Sequence, residues 1–204
     1  MRAAAVITAV LWFAPQQAAA QSYVSCTKTE QGQFFAARDR AEAMTLQAIR
    51  AIGPNRAFQR WFGSYTPKDG DVVRSKLKGI LKALDTDNIA VFCAERGYEL
   101  CDDSVFAFVD PEEHFLVFLC PEFFRMPTIK ELDRVSLSGG DGTRAGTIIH
   151  EVSHFTVSGN TEDYCYGRDI CSDMARRDPE AALENADSYQ YFVEDVTYFG
   201  IGVE

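Results

Sequence analysis

Apolar side chains in the first third of the chain recur every three or four residues, which is the spacing of an amphipathic helix. After Thr27 these positions are Phe34, Phe35, Ala41, Met44, Leu46 and Ile49. Thr27 and Glu30 have the spacing of a capping box, so a helix is predicted to begin there. Gly53 and Pro54 predict where it ends.

Two further helical patterns follow before residue 85. The first is short and contains Phe58, Trp61 and Phe62. The second comes after residues 66–70, which are polar and predict a loop. Its apolar positions are Val72, Val73, Leu77, Ile80, Leu81 and Leu84. Each pattern places its apolar residues on one face, so both helices are predicted to pack against a core.

Short runs rich in Val, Ile and Phe predict a small sheet in the middle of the chain. The runs cover residues 89–93, 105–109 and 115–119, and residues 110–113 between the last two predict a turn. We expect these strands to pair antiparallel. The predicted fold class is therefore α+β, mostly helical with a small antiparallel sheet.

The C-terminal half predicts two more helices. Asp141 follows a glycine-rich stretch and is a good N-cap for a helix from about Thr143 to Phe155. Residues 156–170 are polar and contain glycines, so they predict a loop. A long final helix is predicted from Pro179 to about Phe199. We see no linker or internal repeat, and residues 21–204 are predicted to form one domain.

The first twenty residues have the pattern of a signal peptide. Arg2 supplies a positive charge, an apolar run follows, and residues 18–20 are alanines suited to cleavage. The run is shorter than the roughly 20 residues that a membrane-spanning helix needs. We therefore predict cleavage after Ala20 and secretion to the extracellular space or the periplasm, with no membrane partner.

The net charge and the cysteine content indicate which partners and which kind of compartment to expect. The chain has 30 acidic and 20 basic residues, so it should repel nucleic acid and anionic membranes. Its six cysteines predict three disulfides in an exported protein, although 15 pairings are possible. The cysteines contain no Cys-x-x-Cys pair, which argues against a cysteine-based zinc site. We expect a monomer.

Two of the three histidines lie four residues apart in the sequence His150-Glu151-Val152-Ser153-His154. Positions i and i+4 share one face of a helix, so both imidazoles can bind one metal ion. Glu151 can reach a water molecule at that metal and act as general base. This is the HExxH arrangement of zinc hydrolases.

A catalytic zinc site usually has three protein ligands and an open position. His114 stands at the start of a predicted strand, where a surface histidine is expected. Two carboxylates are left as candidates for the third ligand. Asp163 follows His154 after a loop, and Glu184 lies on the predicted final helix. The residues by themselves leave both open.

The sequence Thr161-Glu162-Asp163-Tyr164-Cys165-Tyr166-Gly167 resembles the G-T-x-D-x-x-Y-G signature of the aspzincin metallopeptidases, the deuterolysin and peptidyl-Lys metalloendopeptidase family. Asn160 stands where the family has its first glycine. Residues 119–124 and 185–192 also resemble segments of that family. The resemblance covers most of the chain from about Cys93 onward and implies a zincin-like fold.

The resemblance implies a role for each residue of the motif. One zinc ion would be bound by His150, His154 and Asp163. Glu151 would be the general base, and Tyr166 would stabilise the oxyanion of the tetrahedral intermediate.

The resemblance also implies a pocket for the residue after the cleaved bond. Asp187 and Gln190 of the last helix would line it, and peptidyl-Lys enzymes carry a glutamate at the second position. Because neutral Gln190 stands in place of that glutamate, we predict a preference for Lys or Arg without strict Lys specificity. Asp187 has an alternative interpretation as a surface carboxylate or as a structural hydrogen bond to the active-site helix.

The family's cysteine pattern implies the disulfides Cys26–Cys93 and Cys101–Cys120. The pair Cys165–Cys171 is then left, and we expect it to fix the loop that carries Asp163.

The function that the resemblance implies is a secreted zinc-dependent endopeptidase acting on proteins or peptides. Two alternatives stay open. One is a non-catalytic protein that keeps zinc on the same scaffold, and the other is a secreted toxin or effector that is itself a protease.

Overall fold

The structure is a computed structural model that describes residues 22–85, 89–132, 140 and 142–201. The predicted signal peptide, residues 1–20, and Asp141 lie outside the described residues. Within them the chain forms seven α-helices and four strands, with a 3₁₀ turn at Pro121–Arg125. No helix in this part of the chain is long and apolar enough to cross a membrane.

Three helices form the N-terminal part, as predicted: α1 (Lys28–Ala51), α2 (Arg56–Phe62) and α3 (Pro67–Leu84). The capping box at the start of α1 is confirmed, because the Thr27 and Glu30 side chains each accept a hydrogen bond from the other's backbone N–H. The predicted loop at residues 66–70 is wrong. The Thr66 side chain caps α3, so the helix begins at once at Pro67.

The sheet contains β1 (Tyr23–Val24), β2 (Ala90–Cys93), β3 (Ala107–Phe108) and β4 (Leu116–Leu119), in the spatial order β1-β2-β4-β3. The β1–β2 and β2–β4 pairs are parallel, and β3–β4 is antiparallel. The mostly helical α+β class is confirmed, but the expectation of an antiparallel sheet is wrong for two of these pairs. Apolar residues alternate in the same way in parallel and antiparallel strands, so the sequence pattern could not show the direction of pairing. It also could not show that β4 lies between β2 and β3.

The structure contains the three disulfides that the sequence analysis expected. Cys26–Cys93 joins the segment before α1 to β2, and Cys101–Cys120 joins the segment before β3 to the end of β4. Cys165–Cys171 closes a short loop in the C-terminal half. The first bridge therefore ties the segment after β1 to β2, and the second ties the segment between β2 and β3 to the end of β4.

Four helices form the C-terminal half: α4 (Arg144–His154), α5 (Arg168–Arg177), α6 (Pro179–Glu184) and α7 (Ala186–Phe199). The α4 helix agrees with the prediction within one residue, although its N-cap is Thr143. The predicted loop at residues 156–170 is too long, because α5 already begins at Arg168.

The single long helix predicted from Pro179 to Phe199 is broken at Asn185. This residue has φ −94° and ψ 129°, and it separates α6 from α7. The backbone groups on either side bond to Glu162 instead of continuing the helix: Glu162 N donates to Glu184 O at 2.8 Å, and Ala186 N donates to Glu162 O at 2.9 Å. The break therefore provides hydrogen-bonding partners for the loop before α5.

The core lies between α1, α4, α7 and the sheet. Its largest apolar and aromatic side chains are fully buried: Phe34, Phe58, Trp61, Phe62, Tyr189 and Phe192. Residues 145–154 of α4 are buried on every side of the helix. The helix that carries the HExxH sequence is thus the central element of the domain, which holds its side chains in fixed positions.

A buried group of charges joins α4 to three other helices, α2, α5 and α7. Arg168, at the start of α5, is fully buried and binds Glu194 at 2.6 Å and Asp195 at 2.7 Å, both on α7. Glu194 also accepts the N–H and the hydroxyl of Thr143, the N-cap of α4, at 2.8 Å each. Asp195 accepts the indole N–H of Trp61 at 2.8 Å. Arg168 compensates both carboxylates, and Arg60 makes a longer ion pair with Asp195 at 3.4 Å.

We expect Arg168→Met to lower the free energy of unfolding by about 3–5 kcal/mol, since it leaves buried Glu194 without a cation and Asp195 with only the longer pair to Arg60. Arg177→Met is a matched control on the same helix. That side chain is 78% exposed and pairs with Asp173 at the surface, so its loss should cost less than about 1 kcal/mol. Urea denaturation measures both values, and equal losses would contradict the role given to Arg168.

Candidate active site and metal centre

His150 and His154 lie one turn apart on α4, and their Nε2 atoms are 3.2 Å from each other. Ile148, Ile149 and Val152 face the core from the other sides of the helix and are fully buried. The spacing of the histidines and the packing of their neighbours therefore direct both imidazoles to one point.

Asp163 completes this group. Its two carboxylate oxygens lie 3.4 Å from the Nε2 atoms of His150 and His154, one oxygen to each ring. Glu184, the rival candidate, is turned away and binds the Lys76 ammonium at 2.7 Å. His114 is exposed and its ring bonds to the Thr156 hydroxyl. Of the three candidates, the structure brings only Asp163 to the two histidines.

The spacing of these donors fits a zinc ion. Ligand atoms bonded at about 2.0–2.1 Å to a tetrahedral ion lie about 3.3–3.4 Å from one another. The separations between the His150, His154 and Asp163 donors are 3.2–3.4 Å. The ligand atoms of Glu151 and the two histidines also lie within 4.8 Å of one another. The donor set thus matches the type and the geometry that zinc prefers.

Hydrogen bonds at the far side of each ring leave Nε2 free to bind metal. His150 Nδ1 lies 2.7 Å from Asp187 Oδ1, and His154 Nδ1 lies 2.9 Å from the Thr161 carbonyl oxygen. Both acceptors require the proton to be on Nδ1. This arrangement is typical of metal-binding histidines, whose second nitrogen donates to a carboxylate or a backbone oxygen.

The electrostatics of the group favour a cation. Burial lowers the pKa of His150, but the hydrogen bond to Asp187 and nearby carboxylates, Glu151 and Asp163 among them, raise it to about 9. Burial and the charge of His150 lower the pKa of His154. Without a metal one imidazole takes up a proton to balance these carboxylates, and a divalent cation would supply the same compensation.

Glu151 points into the same site and is buried. Burial raises the pKa of its carboxyl to about 7, although the charge of His150 opposes the shift. A carboxyl group with a pKa near neutral can both accept and donate a proton. Glu151 is therefore a candidate general acid and base.

Tyr166 lies on the open side of the site and is 61% exposed. Its ring is nearly parallel to that of His150, with centroids 6.3 Å apart, and its hydroxyl hydrogen-bonds to Asp163. Partial burial, this hydrogen bond and the surrounding carboxylates raise the pKa of the phenol. Tyr166 is therefore a hydrogen-bond donor at neutral pH.

Two interpretations of Asp187 were open: an acid of the substrate pocket, and a surface or structurally hydrogen-bonded carboxylate. Its side chain is buried, Oδ1 bonds to His150, and Oδ2 accepts the N–H of Gly167 at 2.7 Å. The structure thus supports the alternative of a structural hydrogen bond to the active-site helix.

Gln190 is also buried and lies against Gly142. A Cβ atom on residue 142 would be only 2.0 Å from the side-chain nitrogen Nε2 of Gln190. Asp187 and Gln190 both still line the cavity above the histidines.

Asn185 also supports the site, although it was not among the predicted site residues. Its side-chain oxygen accepts the N–H groups of Tyr164 at 2.8 Å and Cys165 at 3.0 Å. These residues follow Asp163 directly, so Asn185 holds the loop in place. An asparagine inside a helical pattern was the available signal, because its side chain competes with backbone hydrogen bonds.

A cavity of about 1020 Å³ opens above the three candidate ligands. Its lining includes residues 104–109, which contain the edge strand β3, and residues 160–163, 166 and 167 of the loop that carries Asp163. Five carboxylates line it: Glu112, Glu151, Glu162, Asp163 and Asp187. No Lys or Arg is among the described residues that line it. The cavity is therefore acidic.

The chain is similar to proteins that are named as proteases. A family model described as lysine-specific metallo-endopeptidase matches residues 50–194. An extracellular protease of Aeromonas hydrophila is 32% identical over 174 residues, or 83% of this chain and 46% of that protein. A peptidyl-Lys metalloendopeptidase of Pleurotus ostreatus is 31% identical over 179 residues, or 85% of this chain and 96% of that protein. This chain thus spans about half of the first relative and nearly all of the second.

A solved structure, the zinc peptidase from Grifola frondosa, has a similar fold. The TM-score is 0.69 with 27% identity, and the match covers 84% of this chain and 98% of that one. This likeness confirms the zincin-like fold that the sequence predicted.

We expect Asp163→Ala to abolish stoichiometric zinc binding, because two imidazoles alone leave the ion one ligand short. Glu184→Ala is the control and should keep about one zinc ion per chain. Elemental analysis after dialysis measures both variants. Loss of zinc from Glu184→Ala with retention in Asp163→Ala would show that the third ligand is misassigned.

Proposed function

The chain belongs to the lysine-specific metallo-endopeptidase family, the aspzincins, and we propose that it is a secreted zinc endopeptidase. The observation that carries the proposal is the convergence of His150, His154 and Asp163 beneath an acidic cavity, with Glu151 and Tyr166 at its floor and edge. Residues 1–20 would be the signal peptide, and residues 21–204 the single catalytic domain.

His150, His154 and Asp163 would hold one zinc ion. A zinc ion bound by three protein ligands lowers the pKa of its water to about 7 and polarises the substrate carbonyl. The protein's part is to keep the imidazoles in place. Asp187 does this for His150 and the Thr161 carbonyl does it for His154.

Glu151 would accept a proton from the attacking water and deliver it to the amine of the leaving peptide. Its raised pKa suits both steps, since a group that titrates near neutral pH can take up the proton and release it again. Burial keeps bulk water from competing for the carboxylate.

Tyr166 would donate its hydroxyl hydrogen bond to the oxygen that becomes negative when the carbonyl is attacked. The hydroxyl is already beside Asp163 and stays protonated at neutral pH. A donor aimed at charge that develops only in the transition state lowers the barrier rather than tightening ground-state binding.

The cavity supports binding of an extended peptide with a basic side chain. Strand β3 is the last strand in the sheet order and lines the cavity, so its free edge can pair with a substrate backbone. The five carboxylates attract Lys or Arg. Because Asp187 is hydrogen-bonded within the protein and Gln190 is neutral, we propose a preference for basic residues after the cleaved bond without strict selection of Lys.

Secretion is supported by two observations. The structure contains three disulfides, which persist in oxidising compartments. The Aeromonas hydrophila relative is named an extracellular protease.

Glu151→Gln tests the enzymatic part of the proposal. The amide fills the same space but cannot accept a proton, so hydrolysis of casein should fall by about 10³-fold or more while zinc content stays unchanged. A chelator added to the wild-type protein is expected to stop hydrolysis and added zinc to restore it. Wild-type turnover by Glu151→Gln would remove this residue from the mechanism.

The preference for basic residues is tested by digesting a mixture of denatured proteins and mapping the cleavage sites by mass spectrometry. We expect Lys and Arg to be enriched several-fold after the cleaved bond, with other residues present at a minority of sites. A digest with chelator corrects for background cleavage. Sites at which Lys and Arg occur no more often than in the substrates would contradict the role of the acidic cavity.

A further inference from the structure

The segment between His154 and Asp163 turns back sharply on the end of α4. Asn160 N donates to Phe155 O at 3.2 Å, and Thr161 N donates to Ser153 O at 3.1 Å. Asn160 has φ +48°, a left-handed backbone that asparagine tolerates better than most residues. This turn determines where Asp163 lies relative to the two histidines.

Lys76 on α3 binds this turn from the side away from the cavity. Its ammonium donates to Gly159 O at 2.6 Å, to Asn160 O at 3.3 Å and to Glu184 Oε2 at 2.7 Å. An ammonium has three hydrogens, so each has one acceptor here. The side chain is only 14% exposed, and therefore these bonds face little competition from water.

Gly79, one turn further along α3, lets the turn lie directly on the helix. A Cβ atom at this position would be 2.3 Å from the Ser158 carbonyl oxygen, too close for any side chain. Lys76 and Gly79 together form a surface, here called the α3 cradle, that contacts three consecutive residues of the turn.

The partners of Lys76 all belong to the support of Asp163. Gly159 and Asn160 are in the turn itself, and Glu184 ends the helix whose last carbonyl accepts the N–H of Glu162. Neither Lys76 nor Gly79 lines the cavity, so neither can touch substrate or metal. Their effect on the site can act only through this turn, which leads to Thr161, the partner of His154, and to Asp163.

We propose that Lys76 and Gly79 are positioning residues that set the affinity of the site for zinc by fixing Asp163 against His150 and His154. This inference rests on the proposed function, because it takes these three residues to be the zinc ligands. Removing groups that orient metal ligands typically costs 10–100-fold in metal affinity, even without contact with the ion.

The test measures the zinc dissociation constant of the metal-free protein by competition with a chromophoric chelator. Lys76→Met is expected to weaken binding by about 10-fold or more. Lys78→Met is the matched control on the same helix, where the side chain is exposed, and should stay within about 2-fold of wild type. Circular dichroism defines conditions in which every variant is folded, so a change in global stability alone does not alter the constant.

Gly79→Ala provides a second variant that does not depend on Lys76. Alanine favours the helix more than glycine does, so α3 itself should be kept while the new methyl group displaces Ser158. We expect weaker zinc binding by this variant as well. If Lys76→Met does not fold, Gly79→Ala alone tests the proposal. The proposal is overturned if the folded cradle variants bind zinc as tightly as Lys78→Met, whereas failure of the wild type to bind zinc would instead overturn the proposed function.

Discussion

Arg168 lies fully buried between Glu194 and Asp195, and the arrangement of the site follows from this ion group. One carboxylate holds the N-cap of the active-site helix and the other holds Trp61 of α2. Buried charges are costly unless each has a partner in good geometry, so α2, α4, α5 and α7 must meet in one arrangement. Arg168 also directly follows Gly167, which places the end of the Asp163 loop against α7.

The candidate metal centre is held by a second set of contacts outside the three ligands. Asp187 joins His150 to Gly167, Asn185 binds the backbone that follows Asp163, and Lys76 binds the turn that precedes it. Each of these groups comes from a different helix or helix boundary. The loop is therefore fixed from both sides, and its carboxylate can face the imidazoles although the residue itself is exposed.

The cavity lining combines two kinds of chemistry. The edge strand β3 lies at one part of the lining, and carboxylates come from several other elements. Under the proposed function, the strand would bind the substrate backbone and the carboxylates would select its side chains. Such a division would give a preference without strict specificity.

The sequence by itself determined what depends on local spacing: the capping box of α1, the helix with two histidines four residues apart, and the D-x-x-Y spacing of Asp163 and Tyr166. Three features were decided only by the tertiary structure, namely the parallel pairing of β2 with β4, the helix break at Asn185, and the burial of Asp187 against His150. Each of them depends on a partner that is distant in the sequence. Local periodicity is set by the repeat of the backbone, but the direction of a strand or the partner of a carboxylate is set by which distant groups need a hydrogen bond once the core has formed.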